Sequence, residues 1–260
     1  MIAAVSTVVL VGVLVWVVAT SPGWPRVRET FFSVDDAKES FPAIARGFLV
    51  NIKMFLIAEP MILVLGFVVA MVRGTRSAWT WPLRMIAVIY VDLFRGVPTL
   101  LLVYLVGVGV PALALSGVPT EPFWLGLIAL TLSYGAYVAE VIRAGVESVH
   151  PSQRAAARSL GLSQAQTTRS VVLPQALRRV APPLLNDFVS LQKDTALVAV
   201  LGLVPAEALR EANVYTAFNF NYTPLVVAAL FFIVLTVPLA RLTDYLGRRA
   251  LARQHSAGPT

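Results

Sequence analysis

Apolar stretches long enough to cross a membrane recur along the whole chain, separated by shorter polar segments. A membrane-spanning helix needs about 20 consecutive apolar residues, and six segments approach that pattern. They are Ile2–Thr20, Phe48–Val72, Met85–Leu115, Phe123–Ile142, Leu184–Val204 and Thr223–Leu246. The pattern predicts an all-α, polytopic integral membrane protein with about six transmembrane helices.

The first apolar segment, Ile2–Thr20, carries no charged residue and allows two interpretations. It is either a retained span or a signal peptide, with Val17 and Ala19 placed for cleavage after Ala19. Its apolar run exceeds the ~7–15 residues usual in a signal peptide, and no Lys or Arg precedes it. A retained span is therefore the favoured interpretation.

Basic residues are divided unevenly between the polar segments. One set of segments holds Arg73, Arg76, Arg84, Arg143, Arg154, Arg158, Arg169, Arg178, Arg179, Arg248, Arg249 and Arg253. The other set holds Arg26, Arg28, Lys38, Arg46 and Arg210. Because loops rich in Lys and Arg stay in the cytoplasm, we expect the first set and both termini there. The outer segments are then 21–46, with a short interfacial helix, and 207–222.

Composition agrees with a membrane protein and removes several other classes. The 260 residues are 57% hydrophobic and 13% charged, against about 25% charged residues in soluble domains. The net charge of +7 follows from the basic cytoplasmic segments, and no basic groove with stacking residues indicates nucleic-acid binding. Cysteine is absent, which excludes disulfides and thiolate metal sites.

The sequence also lacks the patterns of catalysis and of metal binding. Its lysines are Lys38, Lys53 and Lys193, and none belongs to a Walker A phosphate loop. His150 and His255 are too isolated for a metal site, and no nucleophile elbow occurs. We expect a chain that is not an enzyme and holds no cofactor or metal. If ATP drives its function, another polypeptide binds the ATP.

A polar stretch between the fourth and fifth predicted spans has the local signals of helix, corner, helix. Pro151 suits a first helical turn, and Gly161 suits the position after a helix where φ is positive. Ser163 can cap a second helix, which Pro174 terminates or bends. We therefore expect two short helices joined at Gly161.

The first of these short helices has small residues on its surface. Ala155, Ala156 and Ala157 let another surface approach the backbone, and Arg154 and Arg158 beside them can meet acidic partners. The stretch is either a docking element for another protein or an ordinary solvated connection. Loops of this length are uncommon unless they are functional or disordered, and the residue pattern alone leaves both interpretations open.

The stretch resembles the cytoplasmic signature of ABC importer permeases: Glu-Ala-Ala, three residues, Gly, nine residues, Ile, one residue, Leu-Pro. The matching residues are Ala155-Ala156-Ala157, Gly161, Val171 and Leu173-Pro174. Other motifs resemble the polar amino acid branch of that family. They are Phe94-Arg95-Gly96 with Pro98, Ala136-Tyr137 with Ala139-Glu140 and Arg143, Leu173-Pro174-Gln175-Ala176, and Lys193-Asp194-Thr195.

The resemblance implies a division of the chain into three parts. Residues 47–246 would form a five-helix permease core, 1–46 an extra N-terminal span with its outer loop, and 247–260 a cytoplasmic tail. The implied partners are two cytoplasmic ATPases, a second permease chain, alike or paralogous, and an external substrate-binding protein. The implied location is the bacterial cytoplasmic membrane, with lipid around the spans.

In this family the signature segment couples the permease to the ATPase by fitting a groove on that subunit. The coupling residues implied here are Arg154, Ala155, Ala156, Ala157, Arg158, Gly161, Leu173 and Pro174. The sequence departs from the pattern twice, with Ala155 in place of Glu and Ser152 in place of the usual Gly. The lost Glu removes one acidic contact or helix-stabilising charge but leaves the geometry set by Gly161 and Pro174.

Charged residues inside predicted spans are costly and ask for a role. Glu140 and Arg143 stand three residues apart near the cytoplasmic end of the fourth span, where a boundary ion pair explains Arg143. Glu140 also stays a candidate for the substrate path. Asp92 and Arg95 have the same spacing near the inner end of the third span. We expect that pair to fix a helix break at Gly96–Pro98.

The fifth span carries a polar stripe on its inner half. Asn186, Ser190 and Lys193 share one helical face, with Asp187 and Asp194 beside them. A zwitterionic amino acid crossing low dielectric needs a cation near its carboxylate and an anion near its ammonium group. Lys193 and Asp194 would supply both, or would neutralise each other. Asn186, Ser190, Lys193 and Asp194 are therefore substrate-path candidates.

Glu59 and Pro60 interrupt the second span near its middle. Pro60 removes a backbone hydrogen bond and kinks a helix, and broken helices line cavities in transporters. Glu59 is either a partner for a substrate ammonium group or a protonated, hydrogen-bonded carboxyl. We place it beside Lys193 among the substrate-path candidates.

The favoured function is the permease subunit of an ATP-driven importer of polar amino acids, working by alternating access. Three alternatives are an ion-coupled secondary transporter, a membrane enzyme and a scaffold without transport. The helix–Gly–helix element argues against the first, and the missing catalytic groups argue against the second. Charges inside the spans argue against the third. The sequence names neither the amino acid nor the make-up of the dimer.

Overall fold

The computed structural model describes residues 2–75, 77–202 and 206–255, and these ranges are helical apart from short connections. In chain order the α-helices are α1 (Ile2–Ala19), α2 (Trp24–Phe31), α3 (Val34–Arg73), α4 (Trp81–Gly96), α5 (Thr99–Tyr104), α6 (Val110–Ala112), α7 (Pro122–Glu147), α8 (Pro151–Ser159), α9 (Gln164–Thr167), α10 (Leu173–Asp194), α11 (Ala208–Asn219) and α12 (Thr223–His255). Turns of 3-10 helix cover Ala78–Thr80 and Thr195–Leu201, and π-helical segments cover Leu105–Gly109 and Thr168–Val172. The described ranges contain no strand, so the all-α prediction is confirmed.

Three helical stretches of the described residues are long and apolar enough to cross a membrane. They are Trp24–Arg73, Pro122–Glu147 and Thr223–Arg248. A bent pair, Ala78–Gly96 and Thr99–Ala112, makes a fourth if its two parts form one broken span. A polytopic chain is thus supported, but the predicted count of six is not confirmed.

The fifth predicted span differs most from its expectation. Helix α10 ends at Asp194, and the chain continues as 3-10 helix to Leu201 before Gly202 adopts a left-handed φ of 62°. The charged residues of the inner half and this change of helix type break what was expected as one apolar span. The predicted end of the span, Val204, lies outside the described residues, as does Arg76 of the cytoplasmic set.

Helix α3 is much longer than the span predicted within it. It begins at Val34, where the Ser33 side chain accepts a hydrogen bond from the backbone N–H of Asp36, and runs for 40 residues to Arg73. At about 1.5 Å per residue it is about 60 Å long, roughly twice the thickness of the hydrocarbon layer. The outer segment 21–46 is therefore mostly helical. The short interfacial helix expected there is α2, and the boundary proposed between residues 46 and 47 falls within α3.

The core of the bundle lies where α3, α7 and α10 pack together. Its buried side chains include Met54 and Ile62 of α3, Leu130 of α7 and Leu191 of α10. At Gly66 of α3, a Cβ atom would lie 2.4 Å from a methyl group of Val138, so the two helices approach at backbone distance. Close contact through small residues is the usual way in which helices associate inside a membrane.

Both ends of the described chain are helical, but only the N-terminal helix follows the prediction. Helix α1 covers the first predicted span, and its side chains from Val5 onward are exposed in the single chain. An apolar helix with no polar face suits a lipid environment. At the other end, α12 continues past Leu246 to His255, so the segment proposed as a cytoplasmic tail, 247–260, is helical to that point. Residues 256–260 lie outside the described residues.

Candidate functional site

The cytoplasmic stretch forms the expected helix, corner, helix. The His150 side chain accepts a hydrogen bond from the backbone N–H of Ser152 and caps α8. Gly161 has a φ of 82°, which disfavours any residue with a Cβ atom. Ser163 and Gln166 then form a capping box at the start of α9, with each side chain bonded to the other residue's backbone N–H. The corner is thus defined by local chemistry on both sides.

The corner exposes the residues that the signature motif singles out. Ala155, Ala156 and Arg158 are exposed, whereas Ala157 faces inward and is 5% exposed. Leu160, at the tip of the corner, is 84% exposed. A large apolar side chain in that position suits insertion into a partner. Leu160 was missed in the sequence reasoning, although a single Leu directly before the corner glycine was visible.

Two contacts and a small apolar cluster fix this element to the bundle. Arg154 donates to the backbone carbonyl of Val146, at 2.8 Å between Nη2 and O. Its guanidinium is therefore bonded to the end of α7, whereas the side chain of Arg158, one turn later, is exposed. Val149, Val172 and Ala176 are buried together beneath the corner. A force on the corner therefore acts on α7 and α10 together.

Pro174 does not terminate the second short helix. A π-helical segment, Thr168–Val172, joins α9 to α10, and Pro174 occupies the second position of α10. The helix is continuous through this point, because Val172 before α10 has helical dihedrals, and Pro174 contributes no N–H group to it. Leu173 and Pro174 therefore lie at the junction of the coupling element with the long helix that carries the polar stripe.

The polar stripe of α10 lies where that helix changes into a 3-10 turn. Asn186 and Lys193 are exposed in the single chain, and Ser190 and Asp194 are half-buried. The Asp194 carboxylate accepts a hydrogen bond of 2.8 Å from the Tyr134 hydroxyl of α7. No ion pair of the described residues includes Lys193. The described residues therefore show no ion pair through which Lys193 and Asp194 would neutralise each other.

The structure brings Glu59 into the same region as the stripe. Phe55 of α3 and Phe188 of α10 pack edge to face, with ring centroids 4.7 Å apart. Glu59, one turn after Phe55, is half-buried and interacts electrostatically with Asp187. The buried Oδ2 atom of Asp187 has no hydrogen-bond partner among the described residues. Two sites proposed separately from the sequence are thus one acidic region between α3, α7 and α10.

Glu140 lies apart from that region, at the cytoplasmic end of the bundle. Its carboxylate pairs with Arg73 of α3 at 2.7 Å, Arg143 of α7 at 2.5 Å and Arg95 of α4 at 3.8 Å. The prediction that Asp92 and Arg95 form a pair is wrong, because Arg95 pairs with Glu140 of α7 instead. Packing between helices decides this pairing. The end of α4 packs on α7, where Arg95 also stacks over Tyr137.

We expect Glu140→Gln to destabilise the bundle without changing substrate selectivity. The substitution leaves three guanidinium groups facing one another, and hydrogen bonds to charged groups contribute about 1.5–3 kcal/mol each. Thermal unfolding of the purified chain in detergent measures the effect. The control is Glu147→Gln, which removes another partner of Arg143, but Glu147 is 61% exposed. Its expected cost is below about 1 kcal/mol. Equal effects of the two changes would contradict this assignment.

The expected helix break at Gly96–Pro98 is present. Helix α4 ends at Gly96, Val97 is extended, and Pro98 precedes α5. The helical stretches on either side of the break are bent by 108° relative to each other. Thr99, the first residue of α5, shares a hydrogen bond of 3.0 Å with Ser133 of α7. The break therefore turns the chain into contact with the middle of α7.

A buried polar network on the outer half of the bundle was missed in the sequence reasoning. Asn51 of α3, Thr195 and Glu207 are each at most 1% exposed, and the Asn51 amide donates hydrogen bonds to the Thr195 hydroxyl and to the Glu207 carboxylate. Burial raises the pKa of the Glu207 carboxyl, and hydrogen bonds from Leu209, Asn51 and Arg210 oppose that shift. An Asn inside an apolar run was the available signal, but its partners are more than 100 positions away.

Comparison with known proteins agrees with this geometry. The family model of the binding-protein-dependent transport system inner membrane component matches residues 62–251. The arginine transport system permease protein ArtQ of Bacillus subtilis is 33% identical over 210 residues, which cover 80% of this chain and 92% of that protein. The glutamine transport system permease protein GlnP of Escherichia coli is 33% identical over 186 residues, covering 71% and 84%.

Solved structures give the same result at the level of the fold. A crystal structure of an amino acid ABC transporter with histidines superposes with a TM-score of 0.73 at 30% identity, covering 81% of this chain and 95% of that one. The MetNI methionine ABC transporter matches with a TM-score of 0.63 at 16% identity, which supports the fold alone. The chain therefore belongs to the family of binding-protein-dependent transport system inner membrane components, the permeases of ABC importers.

Proposed function

We propose that this chain is the permease subunit that moves polar amino acids inward across the cytoplasmic membrane. The observation that carries the proposal is the exposed corner at Gly161, fixed to α7 and α10 and continuous with the helix that bears Lys193 and Asp194. Docking and substrate passage are thereby joined through one helix. Neither the ion-coupled alternative nor a scaffold is favoured by membership of the family.

The proposed substrate class rests on charge and on the relatives. An amino acid presents a carboxylate and an ammonium group, and each needs an opposite charge inside the membrane. Exposed Lys193 suits the carboxylate, and Asp194 with Asp187 and Glu59 suits the ammonium group or a cationic side chain. The relatives ArtQ and GlnP are named for arginine and glutamine, both polar amino acids.

The proposed complex contains partners for the work that this sequence does not encode. Two cytoplasmic ATPases would bind and hydrolyse ATP, since no Walker A loop occurs in this chain. They would dock on Arg154 to Arg158, Leu160 and Gly161. A second permease chain would complete the translocation path, and an external binding protein would deliver the substrate to the outer face.

The proposed mechanism is alternating access driven from the cytoplasmic corner. ATP binding brings the ATPases together and displaces the docked corners. Because the corner is bonded to α7 and continuous with α10, the displacement rotates these helices around the Lys193 region. ATP shifts the equilibrium only if it binds one conformation of the complex better than the other, so docking must persist through the cycle.

Reconstitution tests the proposal directly. The tagged chain, purified with its partners from native membranes, is placed in proteoliposomes with an external binding protein, labelled arginine or glutamine outside, and ATP inside. We expect ATP-dependent accumulation that persists when ionophores collapse all ion gradients. Accumulation without ATP, driven by a sodium or proton gradient, would instead establish the ion-coupled alternative.

We expect Glu59→Gln to change substrate preference. The variant keeps the size of the side chain and removes one negative charge beside Asp187, so the path becomes less favourable for a cationic side chain. The ratio of arginine to glutamine uptake should fall, by up to about tenfold for a loss of 1.4 kcal/mol. Glu39→Gln, on the exposed outer part of α3, is the control. An unchanged ratio and rate would remove Glu59 from the substrate path.

A further inference from the structure

The outer end of the bundle contains a carboxylate with no exposure to solvent. Glu207 is 0% exposed, and Asn51 beside it is 1% exposed. Burying a charged or polar group is costly unless hydrogen bonds satisfy it. The arrangement around Glu207 is therefore expected to be well defined, and its contacts indicate what it holds in place.

Glu207 and Asn51 together bind the beginning of α11. The Glu207 carboxylate accepts hydrogen bonds from the backbone N–H groups of Leu209 and Arg210, at 2.9 and 2.6 Å. Asn51 donates to the same carboxylate at 3.1 Å, and its Oδ1 atom accepts from the backbone N–H of Ala208 at 3.0 Å. One side chain of α3 thus holds both the cap and the first residue of α11.

The same Asn51 amide also reaches the site of the helix break. Its Nδ2 atom donates to the Thr195 hydroxyl at 3.2 Å, and that hydroxyl donates to the backbone carbonyl of Gln192 at 2.8 Å. Thr195 directly follows Lys193 and Asp194 of the proposed substrate path. The Gln192 side chain in turn accepts a hydrogen bond of 2.6 Å from Thr236 of α12. A continuous polar chain therefore joins the start of α11 to the break.

Little room exists for the start of α11 to move independently of α3. A Cβ atom at Gly47 would lie 2.8 Å from the backbone nitrogen of Ala208 and from the carbonyl carbon of Glu207. Ala208 and Ala212 of α11 are fully buried against the same part of α3. A displacement of α11 must therefore carry Asn51 with it or leave buried polar groups without hydrogen-bond partners, which is costly.

The opposite face of α11 is open to the outside. Arg210, Asn213 and Phe218 are exposed, and Phe218 reaches 80% exposure. The end of the helix is joined to the start of α3 by a hydrogen bond of 3.0 Å from Asn219 to Asp36. An external protein that seats on this surface presses on a helix whose buried beginning is bonded to Asn51.

We infer that Asn51, with Glu207 and Thr195, is a positioning relay that transmits arrival of the external binding protein on α11 to the Lys193–Asp194 break. The inference rests on the proposed import function and adds the route by which the outer face regulates the path. Asn51 touches no substrate in this scheme. It sets the position of Thr195, and Thr195 sets the orientation of the two charged residues before it.

The experiment uses the reconstituted complex and measures ATP hydrolysis with and without the binding protein, supplied with saturating arginine or glutamine. The test variant is Thr195→Val, which removes the hydroxyl that Asn51 contacts but keeps the shape of the side chain and the cap of α11. We expect basal hydrolysis close to that of the native complex and a somewhat lower unfolding temperature, because one N–H of the buried Asn51 loses its acceptor. Stimulation by the binding protein should fall at least about fivefold, the lower range of coupling between distant sites.

The matched control is Thr131→Val on α7. Thr131 is also buried, at 7% exposure, but its hydroxyl has no hydrogen-bond partner among the described residues. This variant should keep its full stimulation. Asn51→Leu provides a second test. It removes the hydrogen bonds of Asn51 to Glu207 and to Thr195, and the variant should also lose stimulation.

The possible results separate the relay from the function on which it rests. Full stimulation in Thr195→Val would overturn the relay. Equal losses of basal and stimulated hydrolysis would also overturn it, because they indicate a merely structural contact. If the native complex itself shows no stimulation by any loaded binding protein, the proposed import function fails, and the relay fails with it.

Discussion

Replacing Lys193 with methionine is expected to reduce uptake strongly while leaving the chain folded and bound to its partners. Methionine keeps much of the length of the side chain, and Lys193 is exposed in the single chain, so the fold loses little. A substrate carboxylate in the path loses its cation, and a charge-assisted hydrogen bond contributes about 1.5–3 kcal/mol. Uptake should therefore fall by about 10- to 100-fold.

The measurement is initial uptake of labelled amino acid into proteoliposomes, with co-purified ATPase and basal ATP hydrolysis as readouts of assembly. The control is Lys38→Met, which removes a lysine on the outer part of α3, away from the helix break. Its uptake should stay near the native rate. Normal uptake by the Lys193 variant would remove this residue from the substrate path. Loss of the ATPase would show that its role is structural.

Replacing Gly161 with valine should separate the chain from its ATPase. With φ at 82°, a side chain at this position is forced into a left-handed conformation that costs about 1–2 kcal/mol, and more for a β-branched residue. No neighbouring atom lies within 4 Å of the added Cβ, so backbone strain is the effect that matters. We expect the corner to open, the ATPase to be lost on purification, and uptake to fall with it.

The chain contains a matched control for this change. Gly117 also has a φ of 82°, and a Cβ atom added there would have no neighbouring atom within 4 Å, but it lies in the connection between α6 and α7, on the predicted outer side. Valine there introduces the same strain and should leave the ATPase bound. Retention of the ATPase by both variants would show that the corner geometry is not needed for docking. Loss in both would show that general misfolding is the cause.

Local chemistry made the cytoplasmic corner predictable from the sequence. Pro151, Gly161 and Ser163 act on backbone groups within a few positions of themselves, so their spacing alone indicated two capped helices and the turn between them. The break at Gly96–Pro98 was predictable for the same reason. Proline fixes φ and glycine allows a positive φ, and both effects act locally, wherever the residue lies in the chain.

Contacts between distant helices were not accessible in that way. The spacing of Asp92 and Arg95 suggested a pair, but the packing of α4 on α7 gave Arg95 to Glu140 instead. Asn51 was visible only as one polar residue in an apolar run, since its partner Glu207 is 156 positions away. Pairings of this kind depend on which helices meet, and the sequence pattern of one helix does not contain that information.

The predicted helix lengths were wrong for another physical reason. The outer segment 21–46, with its charged residues, was expected to be a loop with one short helix, because the expectation treated the bilayer as the limit of each helix. Helix formation continues in water when the first turn is capped, as Ser33 caps α3. The opposite error occurred at Leu184–Val204, which was expected as one span although the helix type changes at Thr195.

The π-helical segment at Thr168–Val172 has a consequence for how the sequence tolerates change in length. A π-helical turn holds one residue more than an α-helical turn, and each residue advances an α-helix by about 100°. Deleting one residue here would convert the π-helical turn into an ordinary α-helical turn of nearly the same rotation, so Leu160 would keep nearly its direction relative to α10. The number of residues is therefore less constrained at this segment than in α10, where removing one residue would rotate everything before it by about 100°.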